Sequence, residues 1–276
     1  MKILVTGVSS GIGLSLAGLF QEEEVWGLAR RQPPEDLQCR FTACDLRRWI
    51  EVERAVADFK RAWGSLDAIV HCAGVQGAVG KAMELEPQAW ADTVRSNIEG
   101  AYFVLRAFFP LLLQGNLKRR KVILFSGGGA SRPRPYFSAY GCAKTALVRL
   151  AETLAAEWVN LPIDINIVAP GAINTAMTRE VVEMGPQLAG EEEYRSARAQ
   201  LESGGDSLER LHEIVRFLVS EDSDGITGRF ISAQWDLWEN FQTFREQLAN
   251  SDVCTLRRIV PQDRGVEFGM PAKRAK

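Results

Sequence analysis

Short apolar runs separated by longer stretches of helical period set the pattern of this chain. The runs are Ile3 to Thr6, Glu24 to Ala29, Cys39 to Ala43, Ala68 to Cys72, Lys121 to Ser126, Asp164 to Ala169 and Arg229 to Ala233. Most are continuous rather than alternating, which is how strands covered on both faces read. Pro87 to Leu113 and Ser138 to Trp158 carry helical periodicity between them. This alternation predicts an α/β architecture, a seven-stranded parallel sheet flanked by helices and doubly wound by right-handed crossovers. Two stretches stand apart. Thr175 to Asp206 is a polar insertion with Glu191-Glu192-Glu193 inside it, and a helix capped by Asp206 and Glu209 is expected to follow. Beyond Ala233, the residues Trp235, Trp238, Phe241, Phe244 and Leu248 recur at spacings of three and four. That spacing predicts an aromatic stripe on one helix face. It would pack on the body or a second subunit, or cover a substrate pocket. Residues 1–235 are therefore expected to form one domain, and residues 236–276 a helical extension and tail.

Composition narrows the function without naming it. The chain has 276 residues, 46% hydrophobic and 25% charged, enough for one large domain with a buried core. A net charge of -2 and the lack of a basic stripe give nucleic acid no footing. Lys273, Arg274 and Lys276 read as a solvated terminus. No apolar stretch approaches the ~20 residues of a membrane span, and no signal sequence precedes the first run. The five cysteines are scattered without a Cys-x-x-Cys pair, as in a cytoplasmic protein with reduced thiols. With His71 and His212 as the two histidines, no metal site is expected.

The chemistry concentrates in two segments. Thr6-Gly7-Val8-Ser9-Ser10-Gly11-Ile12-Gly13 follows the first strand and opens a helix. Glycines there let the backbone turn and approach a pyrophosphate, which the helix N-terminus then holds. Gly7, Ser9, Ser10, Gly11, Ile12 and Gly13 are thus the candidate dinucleotide contacts, on a Rossmann fold. At the end of the second strand, Ala29 stands where an acidic residue would bind the ribose of NAD, and Arg30 and Arg31 follow. Guanidinium groups suit a 2′-phosphate, so NADP(H) is favoured over NAD(H). Tyr140 and Lys144 lie four apart, one turn along one helix face.

With these residues in view, residues 1–235 resemble the short-chain dehydrogenase/reductase family. Thr6 to Gly13 matches its glycine motif, and Asp45-Leu46 its contact to the adenine end. Ala73-Gly74 matches the second half of its Asn-Asn-Ala-Gly, while His71 and Cys72 depart from the first half. Asn97, Tyr140 and Lys144 match its catalytic residues. Pro170-Gly171 follows the sixth strand, and Thr175 falls where the family contacts the nicotinamide amide. The resemblance implies an oxidoreductase of carbonyls and secondary alcohols. Tyr140 would be the general acid or base, Lys144 would hold the nicotinamide ribose and favour the phenolate, and Asn97 would anchor a water relaying protons. It also implies a homodimer or homotetramer. The apolar face of Ala143, Ala146, Leu147, Leu150 and Leu154 is compatible with that and equally with core burial. Ile231 to Asp236 resembles members acting on sugars or nucleotide-sugars.

One position breaks the pattern. The family's serine lies thirteen residues before the tyrosine, and Gly127 stands there. Three readings are open. Ser126 swings in through Gly127-Gly128-Gly129, a backbone N–H of that run replaces the hydroxyl, or the site is catalytically weak and the protein an NADP(H)-binding regulator or structural partner. Arg132 and Arg134 lie between the glycine run and Tyr140, and could meet an anionic substrate group or be paired elsewhere.

Overall fold

The computed structural model describes residues 1–266; the basic end at Lys273, Arg274 and Lys276 lies outside the described residues. Seven strands are β1 (Lys2–Thr6), β2 (Glu24–Ala29), β3 (Arg40–Ala43), β4 (Ala68–His71), β5 (Arg120–Phe125), β6 (Ile163–Ala169) and β7 (Phe230–Ser232). The helices are α1 (Gly11–Leu19), α2 (Trp49–Ala62), α3 (Pro87–Leu112), α4 (Ser138–Glu157), α5 (Ala176–Ala189), α6 (Glu191–Ser203), α7 (Leu208–Val219) and α8 (Arg245–Ala249). The sheet order is β3-β2-β1-β4-β5-β6-β7, and every pairing is parallel. The order reverses between β1 and β4, so their C-terminal ends open a crevice where ligands of such sheets bind.

Burial explains the continuous apolar runs. Leu4, Ile69, Val122 and Leu124 face one core with Phe59, Val104, Phe108 and Leu147 of α2, α3 and α4. Ile3, Val5, Val70 and Ile123 face the other with Leu16, Leu211, Ile214 and Leu218 of α1 and α7. A side chain alternates faces at each residue, so a strand between two helical layers has no polar face to offer. One charged cluster interrupts this at the N-terminal edge of the sheet. Lys121, fully buried, donates to Asp164 at 3.1 Å and to Asp224 at 2.7 Å.

The structure adds one local feature and changes two expectations. The insertion folds as α5 and α6, hinged at Gly190 with φ +83°. The cap of α7 is Ser207, whose hydroxyl accepts from the Glu209 N–H; Asp206 instead accepts from the Ala172 N–H at 2.6 Å. The aromatic stripe is not one helix. Trp238 begins a short 3-10 turn, α8 starts at Arg245, and Trp235 is exposed. Trp238, Phe241 and Leu248 still join the core beside α7, with Trp238 against the ring of Phe217 at 5.9 Å.

Candidate active site

The site forms where the loops leave the C-terminal ends of the strands. The turn after β1 comes first. Gly7 and Gly11 have φ of +78° and +57°, a backbone that side chains oppose. A Cβ on Gly13 would overlap the Gly7 carbonyl, and one on Gly7 would lie 3.1 Å from the backbone of Ala73. Thr6 ties the turn to the strand-4 loop, because its hydroxyl accepts from the Ala73 N–H at 3.0 Å and hydrogen-bonds His71 Nδ1 at 3.1 Å. Ser10 caps α1 without a side-chain bond, leaving first-turn N–H groups to a ligand. Ser9 is half-buried and Ile12 lines the cleft above. A dinucleotide fits this cradle.

The adenosine end has its own charges. Arg30 and Arg31 are exposed at the end of β2, with no ion-pair partner among the described residues. The Arg47 guanidinium hydrogen-bonds Asp45 at 2.6 Å and holds its carboxyl below the usual range, with Arg30 adding to the effect. Leu46 is buried under the adjoining loop.

A cleft of about 610 Å³ joins the turn to the candidate catalytic residues. Ile12, Ser126, Gly127, Tyr140, Pro170, Gly171 and Thr175 all line it. Thr175 also packs on the glycine turn, 3.7 Å from where a Gly11 Cβ would lie. Tyr140 is half-buried on α4. Lys144 is buried one turn on, its Nζ donating to the Phe125 carbonyl at 3.0 Å and lying 5.6 Å from the Tyr140 ring centre. Asn97 is buried on α3. Its Oδ1 accepts from the Val75 N–H at 3.2 Å, and its Nδ2 donates to the carbonyls of Val75 and Thr93, both at 2.9 Å. Gly74 lies between the two: a Cβ there would sit 2.8 Å from Asn97 Oδ1 and 3.4 Å from Lys144 Nζ.

A family model described as "Enoyl-(Acyl carrier protein) reductase" matches residues 7–234, a span that holds the glycine turn from Gly7 on, Asn97, Tyr140 and Lys144. The chain belongs to the short-chain dehydrogenase/reductase family. It is an NAD(P)-dependent oxidoreductase. This short-chain dehydrogenase is 30% identical over 231 residues to the short chain dehydrogenase pigC of Monascus ruber, covering 84% of this chain and 70% of the relative. It is 29% identical over 243 residues to the human dehydrogenase/reductase SDR family member 4, covering 83% and 84%. Its fold superposes on the aldohexose dehydrogenase of Thermoplasma acidophilum with a TM-score of 0.74, at 22% identity, over 84% of this chain and 92% of that one.

The loop before Tyr140 carries the residues around Gly127. The Ser126 hydroxyl is buried and donates to the Lys144 carbonyl at 3.2 Å, so its proton is engaged away from a substrate. A Cβ on Gly127 would meet nothing within 4 Å. Arg134 is paired bidentately with Glu193 of α6, at 3.0 and 2.7 Å, and lies 3.9 Å over the Phe137 ring. Arg132 is exposed at the cleft wall. On α4, Ala143 and Leu147 are buried in this chain's own core, with Leu150 and Leu154 packed against it, while Ala146 is exposed. Two further residues matter here, one behind the wall and one on it. Tyr136 adopts φ +69°, and its ring fills the space beside Gly190, bracing the hinge of α5 and α6. Gln76 lines the cleft from the loop after β4. Its only signal in sequence is a polar residue shortly after Ala73-Gly74.

Proposed function

We propose that this protein is an NADP(H)-dependent reductase or dehydrogenase of a carbonyl or secondary alcohol. The observation that carries it is the single cleft lined by Tyr140, Thr175 and Ile12 of the glycine turn. When bound, the cofactor supplies or takes up the hydride. Gly7 to Gly13, Asp45-Leu46, Ala73-Gly74, Pro170-Gly171 and Thr175 would hold it, with Arg30 and Arg31 on the 2′-phosphate. Tyr140 gives its hydroxyl proton to the carbonyl oxygen in reduction and takes it back in oxidation. The ammonium of Lys144 lies beside it and stabilises negative charge on the phenol oxygen. Asn97 acts here as a positioning residue. Both Nδ2 hydrogens are engaged, so a relay water is left a lone pair of Oδ1.

The second hold on the carbonyl oxygen comes from a backbone N–H of Gly127 to Gly129, because the Ser126 proton is directed to Lys144. A cofactor-binding regulator is the competing reading, and Gly127 is what favours it. A sugar or nucleotide-sugar is the substrate class to try first, and a homodimer or homotetramer the assembly. NADPH fluorescence on binding, followed by loss of its absorbance with ketones and keto-sugars, separates these. Binding with turnover is expected, and binding without turnover across the panel favours the regulator. Arg30→Ala with Arg31→Ala should weaken NADPH by about tenfold or more and leave NADH little changed. Equal weakening of both cofactors contradicts the 2′-phosphate assignment.

A further inference from the structure

Gln76 is held by the fold at its backbone and left alone at its side chain. Asn97 grips Val75 on one side through both the N–H and the carbonyl. Thr93 grips the other side, its hydroxyl accepting from the Ala78 N–H at 2.9 Å. Gly77 turns between them with φ +69°, and a Cβ there would overlap Thr93. Further on, the Gly80 N–H donates to the Tyr136 carbonyl at 2.8 Å, fastening the loop to the segment that leads into Tyr140. The side chain of Gln76 is therefore presented from a rigid platform.

Gln76 is 5% exposed, and its Nε2 has no hydrogen-bond partner among the described residues. It lies in the wall shared with Tyr140 and Gly127. A buried amide without a partner is destabilising compared with an apolar group of the same shape. Leucine or methionine would serve the fold better. No described residue supplies that partner, and a half-turn of the carboxamide turns either its donor or its acceptor toward the cleft.

We propose that Gln76 is a substrate-recognition residue, and that the substrate carries a second oxygen, hydroxyl or carbonyl, beside the reacting carbon. This rests on the oxidoreductase reading above. Tyr140 serves the reacting oxygen and Gln76 the second one, so the cleft discriminates a hydroxyketone from the plain ketone of the same skeleton. A site that hydrogen-bonds a hydroxyl rejects the analogue lacking it, because its own polar group is then left unpaired.

Two matched pairs test this, acetoin with butanone and benzoin with deoxybenzoin, each reduced with NADPH. Wild-type protein should favour the hydroxyketone in kcat/KM by about tenfold or more. In Gln76→Leu that preference should collapse through loss on the hydroxyketone, with the plain ketone unchanged. The ligand-free variant should melt at the same or a higher temperature than wild type. Where the leucine variant does not fold, Gln76→Met carries the same test. An unchanged preference in the variant overturns the proposal, as does a lowered melting temperature with activity falling equally on all four ketones. Wild-type protein that binds NADPH yet turns over none of the four instead contradicts the oxidoreductase reading, and the proposal falls with it.

Discussion

Gly127 and Ser126 are adjacent residues with opposite circumstances. Gly127 has an extended backbone, φ -171°, and open space where a side chain would be. Ser126 has a hydroxyl with its proton already directed to the Lys144 carbonyl. If backbone N–H groups hold the carbonyl oxygen, neither position governs the rate. Ser126→Ala should keep turnover within about threefold while costing roughly 1 kcal/mol of stability for the lost hydrogen bond. Gly127→Ser should fit without strain and likewise change kcat little. A rise approaching a hundredfold in Gly127→Ser, the worth of a restored donor at such a site, would show that the donor is missing. Steady-state kinetics with denaturant melts of both variants decides this. The orientation of Ser126 was not legible in the sequence, because it depends on a carbonyl eighteen residues away on another element.

At the scale of elements, the strands were readable and their trimmings were not. Ile3 to Thr6 and Lys121 to Ser126 read as strands because both their faces meet helices. The tail misled, and the insertion carried no element signal, for a common reason: helix or turn there follows from tertiary support. Arg134–Glu193 and the Tyr136 ring against Gly190 hold α5 and α6, and the core beside α7 draws in Trp238 and Phe241 without a continuous helix. The join between β1 and β4 carries a pH signature. His71 is fully packed beside Thr6, and burial, helped by the Lys144 charge, lowers its pKa from 6.5 to about 3. The unfolded chain then binds a proton that the folded chain refuses between those values. Stability is complete above the unfolded value and is lost as pH falls toward 3, by up to about 1.4 kcal/mol per pH unit from this group. His71→Asn should flatten that acid limb. Parallel acid limbs for wild type and variant would contradict the assignment. Urea melts across that pH range measure it.

For the whole molecule, a reversal of strand order between β1 and β4 brings distant segments to one crevice. Ile12 of the glycine turn and Tyr140, far apart in sequence, line the same cleft. The juxtaposition of Tyr140 and Lys144 on α4 was legible in their four-residue spacing. Gln76 was not, since an unpartnered amide is a property of the folded wall and leaves no trace in spacing. The proposed function has this cleft bind NADP(H) and Tyr140 move the proton. Its most direct test compares wild type with Tyr140→Phe, which removes one oxygen and preserves the ring. Both proteins should bind NADPH with equal affinity by fluorescence. Wild type alone should consume NADPH with a ketone it accepts, and the variant should lose about a hundredfold or more in kcat. Turnover preserved in Tyr140→Phe would contradict proton transfer by Tyr140.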